Sequence, residues 1–308
     1  MSQRLPAGVF AAGLTPFQSD LRVTPHALAQ HTQRLLDQGC DGVLLFGTTG
    51  EGLSLSVEER LSGLDAVLSA GVAAERLLVG TGALALPDAL DLTREATERG
   101  VGGVLVLPPF HFRQISSEGL FRFYDRLIQG VGHADLRLYF YHFPELSGVP
   151  IPFDLMQRLR SSYPDQIAGI KDSSGEWDHT EALCHHFPDL QVFSGTERLL
   201  LRVLEAGGDG CISATANVTA PVAAAVRARW QAGDDPTSTQ ETLTDLRTAF
   251  APLPTIPALK MVLSQYLKAP QWTPVRPPLA PLTDEEEDAV MDVLDQLKAT
   301  PLLQDFGA

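Results

Sequence analysis

The chain has 308 residues, a hydrophobic fraction of 44% and a charged fraction of 20%, values of an ordinary globular protein that exclude a disordered, collagenous or low-complexity chain. Its 23 Lys and Arg against 38 Asp and Glu give a formal charge of -15. Such a surface lacks the basic footprint that nucleic acid and anionic membranes require.

No apolar run approaches the roughly 18 residues of a membrane span. Arg4 precedes the apolar stretch from Leu5 to Leu14, the order of an export signal, but Thr15-Pro16-Phe17 follows in place of a small-residue cleavage site. The stretch therefore reads as a buried first strand. Three cysteines, at 40, 184 and 211, have no CxxC spacing. They suit thiols kept as small hydrophobes in the reducing cytoplasm and exclude a cysteine-based zinc site.

Along the chain, short apolar runs alternate with longer amphipathic stretches. Strands are expected at 9–13, 42–46, 77–80, 103–107, 136–141, 167–171, 191–193 and 210–213. These runs are nearly continuous in Val, Leu and Ile, as strands buried on both faces require. Between them Thr24 with Pro25 reads as a helix start, Ser56 with Glu59 as a capping box, and Gly39 and Gly100 as helix stops. Eight βα units predict a closed α/β structure, a (β/α)8 TIM barrel. An open doubly wound sheet is the alternative, although no Gly-x-Gly-x-x-Gly follows the first strand. After residue 232 the strands stop. Helices are expected near 237–251, 257–267 and 283–299, with a Pro-rich connector over 269–281 and a capping box at Thr283 and Glu286. The expected organisation is a catalytic barrel over 1–232 and a C-terminal helical extension over 233–308, an appendage too small for a core of its own.

In a barrel, reacting groups gather where strands end at the C-terminal edge. The second strand runs into Phe46-Gly47-Thr48-Thr49-Gly50-Glu51-Gly52. Three glycines and two hydroxyls suit a backbone nest for a carboxylate or phosphate, although a purely structural turn has the same composition. The fourth ends in Pro108-Pro109-Phe110-His111-Phe112, an aromatic cluster with one titratable group, structural or proton-carrying. The fifth ends in Tyr139-Phe140-Tyr141-His142-Phe143-Pro144 and the sixth in Gly169-Ile170-Lys171-Asp172-Ser173-Ser174-Gly175. A neutral lysine amine at the barrel mouth attacks a carbonyl to form a Schiff base, which then acts as an electron sink. The alternative is a lysine ion-paired to Asp172 or another carboxylate. Strand adjacency brings Tyr141 near Lys171, where a phenol can shuttle protons to and from a carbinolamine. Alternatively, Tyr139 and Tyr141 are barrel packing with satisfied hydroxyls.

Taken in series, Gly47-Thr48-Thr49-Gly50-Glu51, the Tyr141-x-x-Pro144 turn, Gly169-Ile170-Lys171-Asp172, and Gly207-Gly208-Asp209-Gly210-Cys211-Ile212-Ser213 through Asn217 resemble one family. It is the dihydrodipicolinate synthase/N-acetylneuraminate lyase family of Schiff-base-forming class I pyruvate lyases, and the resemblance covers the whole chain. It implies a (β/α)8 barrel, a homo-oligomer (tetramer or dimer), and condensation with pyruvate or its release, without metal or organic cofactor. By matching position it implies Lys171 as the Schiff-base lysine and Tyr141 as proton donor and acceptor. Thr48 and Thr49 would hold the 2-keto-acid carboxylate, with Thr48 relaying protons to Tyr141. The Ile212 main chain and Gly195 would contact substrate. His111 stands where the family has a relay tyrosine that reaches into a neighbouring subunit's site.

Other positions depart from the pattern. Leu146 stands where dihydrodipicolinate synthases carry an arginine for the second substrate's carboxylate, and an apolar side chain cannot replace a bidentate guanidinium. Glu197 and Arg198 replace the Asp-Glu pair that holds a polyol tail in the neuraminate-lyase branch, and Ala214 replaces a tail-binding serine. The expected reaction is therefore cleavage of a 2-keto-3-deoxy acid into pyruvate and an aldehyde. The alternatives are the synthase condensation, dehydration of a sugar acid, and, from another class, a non-catalytic small-molecule-binding barrel.

Overall fold

The structure, a computed structural model, describes residues 4–304. Eight strands, β1 (Gly8–Ala12), β2 (Gly42–Leu45), β3 (Leu77–Gly80), β4 (Gly103–Val106), β5 (Leu138–His142), β6 (Ile167–Asp172), β7 (Gln191–Ser194) and β8 (Gly210–Ser213), form a closed parallel barrel in sequence order. Strand β8 closes it on β1, with Val9 opposite Cys211 and Phe10 opposite Ile212. The helices between strands are α1 (Pro25–Asp37), α2 (Val57–Ser69), α3 (Leu86–Glu98), α4 (Ser117–Val131), α5 (Pro144–Ser147), α6 (Phe153–Ser162), α7 (Trp177–His186) and α8 (Leu200–Glu205). Helix α9 (Ala216–Ala232) follows β8, and α10 (Thr237–Ala249), α11 (Thr255–Leu267) and α12 (Asp284–Ala299) come after it. The fold is the (β/α)8 barrel expected from the eight apolar runs.

Every residue of these strands is buried, because one face fills the barrel and the other meets the helices. Phe10, Leu44, Leu78, Tyr139, Phe193 and Ile212 belong to the inner cluster. Gly169 is required by that packing: a Cβ there would stand 2.3 Å from the Gln191 carbonyl and 2.8 Å from the Tyr139 ring. The Tyr139 hydroxyl donates to Gln191 Oε1 at 2.5 Å. It is thus the satisfied packing tyrosine of the pair. Asn217 pins the closure: its Oδ1 accepts from the Leu14 N–H and lies 2.8 Å from His31 Nε2, while its amide donates to the Ala12 and Ala214 carbonyls.

Two local expectations need correction. Strand β5 begins at Leu138 rather than at 136: Leu136 is buried, but its N–H bonds the His133 carbonyl in a turn, so hydrophobicity there marks burial without pairing. Thr24 precedes α1 but its hydroxyl makes no capping bond; Pro25 starts the helix, and the Thr24 N–H goes to the Pro16 carbonyl. The capping boxes at Ser56/Glu59 and Thr283/Glu286 both form in full, and Gly39 and Gly100, at φ 98° and 75°, end α1 and α3 in left-handed conformation.

Beyond Gly233, α10 and α11 pack against α9, and α12 packs against α10 and α11, burying Phe250, Val262, Val290 and Leu294. Among the described residues no helix is long and apolar enough to cross a membrane. All three cysteines are buried and free.

Candidate active site

Register explains why the fifth and sixth strands meet chemically. Tyr141 lies opposite Lys171, and His142 opposite Asp172. Side chains alternate along a strand, so the first pair enters the barrel mouth while the second faces the helices. Lys171 Nζ lies 3.4 Å from the Tyr141 hydroxyl, and that hydroxyl lies 3.3 Å from Thr48 Oγ1. Lys171 and Tyr141 are each 4% exposed. The three groups form a continuous polar line at the base of a cavity of about 550 Å³, a size suited to a small metabolite. The ion pair between Lys171 and Asp172, one of the readings of the sequence, does not form.

Asp172 instead accepts from His179, the Thr180 hydroxyl and the Ser174 N–H. Burial alone would raise its carboxyl, but these donors outweigh burial and hold it below the usual range. His142 stacks on His179 with ring centroids 4.4 Å apart and accepts the Ile151 N–H at Nδ1. Burial pushes His142 down to about 4, so it is neutral. Ligand atoms of His142, Asp172 and His179 lie within 4.8 Å of one another, a spacing a metal could use, but hydrogen bonds already occupy the Asp172 carboxylate and His142 Nδ1. The cluster stiffens the strand ends directly behind the Lys171–Tyr141 pair.

The glycine-rich loop after β2 is held from three sides. Phe46 and Glu51 sit at φ 56° and 53°, a conformation disfavoured for residues with a Cβ. Within the loop the Glu51 and Gly52 amides bond the Thr48 and Gly47 carbonyls. The Thr15 hydroxyl holds the Gly50 carbonyl at 2.7 Å. Glu51 turns away from the cavity, into a buried ion pair with Lys260 Nζ at 2.5 Å and a bond from the Arg276 N–H at 2.8 Å. Burial pushes the Lys260 amine down to about 8, against the pull of Glu51. Thr48 and Thr49 are left lining the cavity.

The comparisons agree with this geometry. Residues 5–297 match the model of the dihydrodipicolinate synthetase family. The chain belongs to that family. It is an enzyme, a lyase on the family's (β/α)8 barrel. An uncharacterized DapA-like lyase of Chloroflexus aurantiacus is 37% identical over 96% of this chain and 98% of its own length. A 4-hydroxy-tetrahydrodipicolinate synthase of Thermus thermophilus is 33% identical, over 93% and 95%. The crystal structure of dihydrodipicolinate synthase from Agrobacterium tumefaciens has a TM-score of 0.86 at 35% identity, covering 94% of this chain and 99% of that one. A prophage member of the family from E. coli, solved in complex with pyruvate, has a TM-score of 0.86 at 26% identity, over 96% and 99%.

Against that family pattern the remaining positions separate. Gly195 lines the cavity, with its N–H on the Asp172 carbonyl. Ile212 is fully buried inside the barrel beneath the cavity. His111 is exposed, stacked edge-on against Phe112, and lies outside this cavity. Leu146 is 47% exposed and does not line the cavity. Glu197 turns inward beneath the surface and accepts from Thr219 on α9 at 2.8 Å, whereas Arg198 and Ala214 do line the cavity. Sequence reasoning missed Ser173, Glu145 and a C-terminal set: Arg247 on α10, Ala251 in the turn after it, and Thr255 and Ile256 on α11. The α10 residue had a signal: Gln240, Thr244 and Arg247 fall at i, i+4 and i+7, one helical face.

Proposed function

We propose that this chain is a class I lyase that cleaves a 2-keto-3-deoxy acid reversibly into pyruvate and an aldehyde through a Schiff base on Lys171. The observation that carries the reading is the Thr48–Tyr141–Lys171 line at the base of the cavity. The substrate carboxylate meets the Thr48 and Thr49 hydroxyls, and the Lys171 amine attacks the C2 carbonyl. Tyr141 supplies and removes the protons that let the carbinolamine lose water as an iminium. The C3–C4 bond then breaks, its electron pair moving into the iminium to leave an enamine, while the C4 hydroxyl gives up its proton to form the aldehyde. Protonation at C3 and attack by water release pyruvate and restore the amine. With the electron sink supplied by the protein, this chemistry needs no metal or organic cofactor. The pyruvate complex of the E. coli family member supports pyruvate as the released fragment.

Similarity to synthases favours a second reading, condensation of pyruvate with an aldehyde substrate. Leu146, exposed and outside the cavity, offers no cation to a carboxylate there, and this supports the cleavage direction. The exposed apolar side chains Leu53, Leu84 and Phe112 share one surface groove with Phe110, which supports a homo-oligomer, dimer or tetramer. On the same reading residues 1–232 carry the reacting groups and 233–308 form a helical extension that completes the cavity wall. The buried free thiols suit the cytoplasm.

Borohydride reduction in the presence of pyruvate, followed by peptide mass spectrometry, tests the reading. A reduced pyruvyl adduct on Lys171, absent from Lys171→Ala, is expected; an unmodified Lys171 overturns it. Free pyruvate from a panel of 2-keto-3-deoxy acids separates cleavage from dehydration and from binding without turnover.

A further inference from the structure

Two guanidinium groups from distant segments share the cavity. Arg198 follows β7 and Arg247 lies on α10, and both line the space above Lys171. Their approach is built in. Gln240 on α10 donates to the Glu197 and Arg198 carbonyls and accepts from the Leu201 N–H. This clamps α10 onto the backbone that carries Arg198. Arg247 is seven residues further along α10, on the same face as Gln240, and so is directed to the same cavity.

Neither arginine has the carboxylate partner that several other arginines of this chain have. In a chain with a charge of -15, Arg99, Arg227 and Arg276 are each within salt-bridge distance of carboxylates. Among the described residues, no hydrogen bond or ion pair engages the Arg198 or Arg247 side chain. Of the cavity's two carboxylates, Asp172 is occupied by His179, Thr180 and the Ser174 N–H. That leaves Glu145, exposed at the rim, against two guanidinium groups. Thr49, Tyr141 and Lys171 are buried, whereas Arg198 is exposed and Arg247 half-buried, so the arginines meet the part of the substrate remote from its 2-keto acid.

We propose that Arg198 and Arg247 are specificity-determining residues that recognise an oxyanion at the far end of the substrate, so that the aldehyde released carries a terminal acid group, a carboxylate or a phosphate. The inference rests on the cleavage reading given above. A guanidinium presents a fork of N–H donors to such a group, and two of them make the charged end worth far more than a hydroxymethyl group of similar size.

The test uses the full-length enzyme and three 2-keto-3-deoxy acids of equal chain length, ending in a carboxylate, a phosphate monoester or a hydroxymethyl group. Wild-type enzyme is expected to favour one of the two charged substrates over the neutral one by at least about tenfold in kcat/KM, and the preferred one identifies the anion. In Arg198→Met and Arg247→Met that ratio should fall by about tenfold, chiefly through KM, and Arg247→Lys should restore part of it. Melting temperatures verify that the variants are folded. Equal kcat/KM for charged and neutral substrates in the wild type, or a ratio unmoved in both methionine variants, overturns the proposal. Failure of pyruvate trapping on wild-type Lys171 overturns the cleavage reading instead, and the two failures are read in separate assays.

Discussion

Lys260 on α11 forms a fully buried ion pair with Glu51, one of two left-handed residues of the loop that carries Thr48 and Thr49. The two are 209 residues apart, and Lys260 also donates to the Pro274 carbonyl. Removing one member of such a pair strands a charge without water, whereas replacing both by neutral groups relieves the desolvation cost. Lys260→Met is expected to cost about 3–5 kcal/mol and to weaken pyruvate binding, because the loop loses its anchor. The Glu51→Gln/Lys260→Met double variant should recover much of the stability. Urea unfolding of the four members of the cycle measures the coupling.

The phenol of Tyr141 lies between Lys171 and Thr48, so its loss should separate chemistry from binding. Tyr141→Phe is expected to lower kcat by about 10²–10⁴-fold with a much smaller change in KM. Slow borohydride trapping of pyruvate should remain, since the amine is intact. Steady-state rates beside single-turnover trapping give the comparison.

Gly195 is fixed by steric necessity. A Cβ there would stand 2.1 Å from Ser173 Oγ and 2.8 Å from Ser173 Cα, so the segment after β6 has to move. Gly195→Ala is expected to lose about 1–3 kcal/mol of stability and to slow the trapping of pyruvate, with melting curves and trapping rates as readouts.

Acid should destabilise the fold in a definite window. Burial pushes His142 down from the ordinary 6.5 to about 4. Between these values the unfolded chain binds a proton that the folded one refuses, so stability falls as pH drops. The effect of this one group is on the order of 3 kcal/mol when complete. Buried His31 is also pushed down and acts in the same sense. Asp172, held low by its donors, adds a loss at still lower pH. His142→Asn, which keeps an acceptor for the Ile151 N–H, should flatten the pH 4–6.5 slope of the unfolding free energy.

Oligomerisation has a direct check at the groove of Leu53, Leu84 and Phe112. Light scattering is expected to give a dimer or tetramer, and Phe112→Glu to shift it toward a smaller species, because a carboxylate in an apolar contact costs far more than the ring it replaces. A monomeric wild type would rule out the assembly and leave His111 as a surface residue.

What the sequence determined by itself was local. Continuous apolar runs announce strands buried on both faces, Ser56/Glu59 and Thr283/Glu286 announce helix starts, and neighbouring strands of known order bring Tyr141 beside Lys171. Each depends on residues a few positions apart, or on a topology in which consecutive strands are neighbours. Only the tertiary structure decided which way the charged side chains face. Asp172 turns to His179 and leaves Lys171 free of an ion pair. Glu197 turns to Thr219 while Arg198 meets the cavity. The C-terminal helices, legible as helices but not as a wall of the site, bring in Arg247, Thr255 and Ile256 and bury Lys260 against Glu51. Periodicity marks the apolar face of a helix but carries no information on which strand end that face will cover. That depends on the closure of the barrel, which brings together segments some 200 residues apart. The charge of -15 belongs to the whole chain, while the tertiary structure places Arg198 and Arg247 in the wall of the cavity.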